Sequence, residues 1–596
     1  MRSVDIEEKC FMKTIQTKTN QNNHRRTFIK GIGLSATAGV VTSLTKQVPN
    51  LSAAVQSNEI DDAYDIEAIT WSPSLPSAAV VALNRMGFGP RPGDIASFNA
   101  LGVNDIARLN AYIEQQLNPA AIVDTDYTGR FTEAGFTTLS KSRIQLWTEQ
   151  HRNAEYTERR KPIDELERAT FLRAIYSKKQ FQELISDFWV NHFNIYGVDT
   201  GLGSMTVDLV ENTLRPNLFG NFRTMLKGTA RNSAMLVYLD NYVSTAAGAN
   251  ENYARELFEL HTLGAENYYG TMPQANVPVD SNGNPMGYVD IDVYEASRAF
   301  TGWSISYATW RGDDDTGVFK YRNDEHDRHQ KNVLGELIMP DQAPEKDGED
   351  VLDWVAYHAA TSRYICRKLC KRLISDNPPD GVVLGAAAVF YEKRFAADQL
   401  THVYRYILKS DAFRTTWGEK VKRPFEVAVS FMRATQLNLT LRMSHSATGN
   451  LLSYYSKTGQ RLFAWGPPDG YPDFKEAWTS SAPRVYCWRL INYMISRSTD
   501  AEDVTITSPD NAASYYMDTI GQTPASLRTA AEIADHWIIQ ILGRPMDSSD
   551  RQEIIDFMAQ GYNEDFDLPL NTDQDTQERL RMMVGLICCA PDFYWK

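Results

Sequence analysis

From Ser77 onward the apolar side chains return every three to four residues in one run after another, and this period restricts the fold more than any other feature of the chain. The first run, residues 78–86, reads Ala-Ala-Val-Val-Ala-Leu-Asn-Arg-Met and is closed by Gly87, with Pro90, Pro92 and Gly93 marking the turn that follows. Helical runs are expected again near 104–117, 161–195, 205–227, 250–263, 290–302, 350–375, 381–411, 423–437, 484–497, 525–543, 548–561 and 574–588. Strand-like alternation is confined to short pieces such as 318–321. The expected fold class is therefore mainly α: a large irregular multi-helix assembly with long loops at 265–289, 303–349 and 439–483. Residues 77–596 read as one helical domain, or as two lobes meeting near 440–483. In that last loop Gly466-Pro467-Pro468-Asp469-Gly470-Tyr471-Pro472-Asp473 is a stiff, turn-dense segment that either lines a pocket or only connects.

A different kind of sequence precedes the helices. A polar leader runs into Arg25-Arg26-Thr27-Phe28-Ile29-Lys30, residues 31–45 carry no charge, and small residues follow at Ser52-Ala53-Ala54. That order marks an export signal, and the paired arginine resembles the twin-arginine class, which moves proteins already folded. The charge-free stretch falls short of the roughly 20 apolar residues that span a bilayer. Residues 1–54 are expected to be a cleaved signal peptide and 55–76 a polar linker or arm, giving a periplasmic or secreted protein with no stable membrane span after cleavage. The export machinery is then one partner.

Removing 54 residues that hold eight basic and three acidic side chains takes the formal charge from −14 to −19. Such an acidic chain is a poor partner for nucleic acid, whose phosphates demand concentrated Lys and Arg. Cys366, Cys370, Cys487, Cys588 and Cys589 make no disulfide framework and read as packed thiols, as suits a chain that folds in a reducing compartment.

Two helical segments concentrate polar groups. In residues 250–264, Asn252, Arg255, Glu256 and Glu259 share one stripe at 100° per residue, while His261 falls on the opposite, apolar side with Ala254, Leu257 and Phe258. The spacing of four between Glu251, Arg255 and Glu259 fits a salt-bridged outer face; if enclosed, Glu256 and Glu259 become acid–base or metal-ligand candidates. In residues 187–194, His192 lies on the apolar arc with Leu184, Ile185, Phe188 and Trp189, while Asp187, Asn191 and Asn194 lie outside it. A core imidazole needs a partner for each nitrogen or a metal on one of them. His192, His261 and Asp240 are thus candidate metal ligands, and Glu256, Glu259, Arg255 and Asp187 candidate catalytic groups. A third cluster adds His326, Asp327 and Lys331 in a long loop, whose alternative reading is a solvated charged segment. Asp280, Asn282 and Asn284 alternate like calcium ligands but lack the distal bidentate Glu.

Together these segments resemble a bacterial family known as domain of unknown function 1800. The matching pieces are Leu83-Asn84-Arg85-Met86-Gly87-Phe88-Gly89-Pro90, Phe188-Trp189-Val190-Asn191-His192-Phe193-Asn194, Met235-Leu236-Val237-Tyr238-Leu239-Asp240-Asn241, residues 250–264, Ala299-Phe300-Thr301-Gly302-Trp303, His326-Asp327 with Lys331, and the Pro-Asp-Gly-Tyr-Pro run at 468–472. The resemblance implies a predominantly helical exported protein and implies no reaction. The chain departs from the pattern in a longer loop at 268–289 and in His358-Ala359-Ala360-Thr361, where His-Pro-Ala-Thr is usual.

The leading expectation is a metal-assisted extracytoplasmic enzyme, a hydrolase or oxidoreductase, with a divalent ion as its cofactor. A non-catalytic surface or matrix protein that binds extracellular polymer or a protein partner is the alternative. A haem-binding bundle with His192 and His261 as axial ligands is a third reading.

Overall fold

The computed structural model describes residues 74–596 except 153, 281–282, 440, 444, 497, 500–514, 561 and 564. The expected signal peptide lies outside these residues, as does nearly all of the expected arm.

The chain is mainly α, with the periodic runs present but more finely divided than their sequence suggests. Helix α1 (Ala78–Arg85) is capped by Ser77 and buried along almost its whole length. The run expected over 161–195 is two helices, α2 (Tyr156–Tyr176) and α3 (Gln180–His192). Gln180 makes the break: its amide donates to the Ala174 and Ser177 carbonyls that α2 leaves open, and its oxygen accepts from Phe88 N–H. A short α4 (Glu251–Glu256) leads into a π-turn, and α5 (Asp290–Ala299) follows the long loop. The run over 350–375 divides into α6 (Lys346–Tyr357) and α7 (Ala359–Leu373) at His358, whose Nδ1 accepts from Ala360 N–H as an N-cap. Helices α8 (Asp380–Glu392) and α9 (Gln399–Leu408) pack beside α7, and α10 (Pro424–Ala434) is buried at every position.

Strand is sparse and local. The expected piece pairs as β1 (Trp303–Ile305) with β2 (Phe319–Tyr321), antiparallel, and β3 (Lys331–Val333) pairs with β4 (Glu336–Ile338). Pro73–Lys596 form one compact unit. No helix among the described residues is long and apolar enough to cross a membrane.

A buried ion network ties α3, α7 and α10 to the last residues of the chain. Lys422 N–H donates to the Tyr594 carbonyl at 2.8 Å and Lys596 N–H to the Lys420 carbonyl at 2.9 Å, which carries the Lys596 side chain into the interior beside Glu426. Arg372, Arg423, Lys420 and Lys596 there face Asp187, Glu426, Asp473 and Asp376, four cations against four carboxylates. Burial pushes Glu426 up, but Arg372, Lys596 and Arg423 together outweigh it and hold the carboxyl well below its ordinary range. Asp187 bonds Arg372 at 3.0 Å and also Arg423. Both of its charge partners are guanidinium groups locked in the core, the surroundings of a structural counter-ion.

Candidate functional site

The helix holding the two motif carboxylates is not a regular α-helix. Asn250 caps α4 by accepting from Asn252 N–H, and after Glu256 the backbone widens into a π-turn over Leu257–His261. A π-turn inserts one residue into the helical repeat, so the four-residue spacing no longer stacks Arg255 on Glu259. Arg255 instead pairs with Glu251 at 3.1 Å and Asp290 at 3.3 Å on a half-exposed face. Half of the expected salt-bridged face thus exists, and Glu259 is left out of it. Among the described residues neither Glu256, which is 8% exposed, nor Glu259 forms a hydrogen bond or an ion pair. Burial, then Glu259 and Asp469, push Glu256 up to about 8 against the pull of Arg255. Burial also raises Glu259.

The two histidines come together, as their shared apolar orientation allows. His192 and His261 are each 1% exposed, with ring centroids 6.1 Å apart and Phe193 against both. His192 Nε2 lies 3.1 Å from the His261 carbonyl oxygen and Nδ1 lies 3.0 Å from Lys368 Nζ. A carbonyl only accepts, so Nε2 must carry the proton and Nδ1 must accept from the lysine. Burial, then Lys368 and His261, hold His192 well below its ordinary value, which keeps the ring neutral. Burial and then Lys368 bring His261 down to about 3, and its Nε2 is buried with no hydrogen-bond partner among the described residues.

Lys368 comes from α7, one turn beyond Tyr364, whose ring centroid stands 5.4 Å from Nζ. The lysine is half-buried and makes no ion pair among the described residues. Burial lowers it to about 8, although Asp473, Asp469 and Glu266 pull the other way. Tyr364 is raised by burial and then by Glu266, Glu259, Asp469 and Glu256, so the same helix faces both the imidazoles and the carboxylates.

The stiff loop closes over this cluster. Asn191 donates to the Tyr471 carbonyl at 2.9 Å and accepts from Tyr471 N–H at 2.7 Å; Asn194 donates to the Trp465 and Pro467 carbonyls; Tyr238 donates to the Gly466 carbonyl at 2.6 Å. Gly470 has φ +78° and a Cβ there would stand 2.2 Å from the Asn191 carbonyl oxygen, so only glycine fits. Exposed Asp469 and Glu266 stand at the edge of the cluster.

Other expected site residues are elsewhere. His326, Asp327 and Lys331 form a separate buried knot: His326 Nε2 is 3.2 Å and Lys331 Nζ 2.7 Å from an Asp347 oxygen, Asp327 pairs with Arg298 at 2.7 Å, and Lys331 also donates to the Asp327 and His329 carbonyls. The knot is buried rather than solvated, and these groups fasten the loop to α5 and α6. Asp240 is a turn residue at φ 58° whose carbonyl accepts from Asn250, while Asn252 donates to the Leu239 carbonyl. In the expected calcium loop Asn282 lies outside the described residues, and the Asp280 carboxylate accepts from the backbone and side-chain N–H groups of Asn284.

The metal expectation does not fit this donor set. His192 spends both ring nitrogens inside the protein, and no group of three or more His, Cys, Asp or Glu side chains among the described residues is arranged to hold an ion. A haem between His192 and His261 does not fit either, because the His192 ring already bonds the His261 backbone and Phe193 packs on both rings.

A family model described as Protein of unknown function (DUF1800) matches residues 81–595. No curated protein and no solved structure gives a significant match.

Proposed function

We propose, for a chain that belongs to the DUF1800 family and takes no reaction from it, an exported enzyme that works by acid–base catalysis at the Glu256–His261–Lys368 cluster. The carrying observation is that the buried Glu256 and His261 Nε2 have no hydrogen-bond or ion-pair partner among the described residues, and that the half-buried Glu259, which acts on Glu256, has none either. Unpaired buried polar groups destabilise a fold by about 1–3 kcal/mol each, so their retention in one place points to use.

In this reading Glu256, still protonated at neutral pH, is the proton donor, and neutral His261 or the His192–Lys368 pair accepts. Hydrolysis or addition to a carbonyl are the reactions such a set supports. Export rests on the Arg25-Arg26 leader, and the five free cysteines are what a chain folded before export would carry.

The test is a panel of chromogenic ester, phosphate, glycoside and carbonyl substrates offered to the mature exported protein. Turnover should vanish in Glu256→Gln and fall as pH rises through about 8, while the variant keeps its fold. Turnover that survives Glu256→Gln unchanged would defeat the reading and favour a binding role.

A further inference from the structure

The least explained group in the cluster is an amine. Lys331, Lys420 and Lys596 are buried and each is held by a carboxylate, while buried Lys422 lies over the Phe593 ring. Lys368 has instead an imidazole nitrogen at 3.0 Å and the Tyr364 ring beside it. We propose that Lys368 is a nucleophile that condenses with the carbonyl carbon of a neutral aldehyde or ketone to form an imine. The proposal deepens the acid–base reading and rests on it.

Nucleophile, base and orienting group stand in a row: Lys368 Nζ, His192 Nδ1, and the His261 carbonyl that holds the far ring nitrogen at 3.1 Å. A nucleophile within hydrogen-bond reach of a base that a third group orients is the arrangement that activated nucleophiles share. The orienting oxygen belongs to the backbone of the π-turn, so that local widening of the helix is what aims the His192 lone pair at the lysine.

The step balances on these groups. Nζ attacks the carbonyl carbon and the N–C bond forms while the C=O π pair moves to oxygen. His192 Nδ1 takes a proton from the new ammonium and delivers it to the oxygen, leaving a neutral carbinolamine. The nitrogen lone pair closes C=N and expels hydroxide; His192 Nδ1 takes the iminium proton and hands it to the hydroxide, which leaves as water. One water is released and His192 is neutral again.

Charge selects the substrate. Exposed Glu266 and Asp469 both act on the Tyr364 ring beside the amine and on the amine itself, so a carbonyl that carries its own carboxylate meets like charge there. A neutral carbonyl does not.

The test treats the full mature chain with glycolaldehyde and sodium cyanoborohydride near neutral pH, then maps the reduced secondary amines by peptide mass spectrometry. Exposed Lys393 and Lys457 serve as internal references. Lys368 should label roughly tenfold faster than either reference, and glyoxylate at equal concentration should label it roughly tenfold more slowly than glycolaldehyde. Lys368→Met should remove that label alone, and His192→Gln should slow it without changing Lys393. Labelling of Lys368 no faster than the references overturns the nucleophile; glyoxylate as fast as glycolaldehyde overturns the neutral substrate. Failure of the acid–base reading would show separately, as turnover that survives Glu256→Gln.

Discussion

Replacing Asp187 by Asn distinguishes a core counter-ion from a catalytic group. The carboxylate bonds Arg372 at 3.0 Å and Arg423 as well, and these guanidiniums are 1% and 2% exposed. With four cations against four carboxylates in the network, the variant leaves one uncompensated positive charge inside. Breaking a buried pair from one side costs about 3–5 kcal/mol. Arg372 keeps Glu426 at 3.1 Å and Asp473 at 3.8 Å, and Arg423 keeps Glu426 at 3.6 Å, which places the loss near the lower end of that range. Guanidinium unfolding followed by near-ultraviolet circular dichroism and by tryptophan fluorescence gives the midpoint and slope, and the two probes show whether one transition is being measured. The difference should barely change with moderate salt, because ions do not screen a pair they cannot reach. A loss below about 1 kcal/mol, the size of an exposed pair, would refute the counter-ion role.

Glu256→Gln should alter the pH dependence of stability. The folded carboxyl holds its proton to about 8 whereas the ordinary value is 4.5, so the group's contribution is present below 4.5 and lost as pH rises through 8. The slope is about 1.4 kcal/mol per pH unit across that window; wild type and variant should melt alike near its acid end and the variant should be the more stable above it, whereas parallel melting curves would mean ordinary ionisation. The opposite sign applies to His261, whose folded value of about 3 lies below its ordinary 6.5: its stabilising contribution is complete above 6.5 and lost as pH falls toward 3, so His261→Phe should blunt acid unfolding. Asn191→Ala leaves both Tyr471 backbone groups unpaired, about 1–3 kcal/mol each, and should speed hydrogen exchange across 466–472 before any change in the core. Gly470→Ala should disturb the same loop through its positive φ, and an unchanged exchange rate would show the loop is not pinned there.

Much of the framework is legible from periodicity, because most helices bury one clear apolar arc. The divisions inside long runs were not, since Gln180 and His358 break helices through side-chain hydrogen bonds that no period reveals. The inward aim of His192 and His261 followed from the helical wheel, and both are buried. The π-turn defeats the same wheel three residues away, separating Glu259 from Arg255. Lys368 escaped notice because a lone lysine usually lies on a solvated face; its signal was a position at the edge of the α7 apolar arc, beside Ile365 and Leu369. His326, Asp327 and Lys331 suggested chemistry because long loops on a rigid scaffold carry function, but the partners Asp347 and Arg298 that pair with them lie on other elements, which no loop pattern reveals.

The protonation state of Glu256 tests the acid–base site most directly. Difference infrared spectra of wild type minus Glu256→Gln, recorded as pH is stepped through 8, isolate that single carboxyl. A proton donor requires a protonated carboxyl band that persists at neutral pH, disappears with a midpoint near 8, and is missing from the variant. A band already gone by the ordinary glutamate range near 4.5 would contradict it.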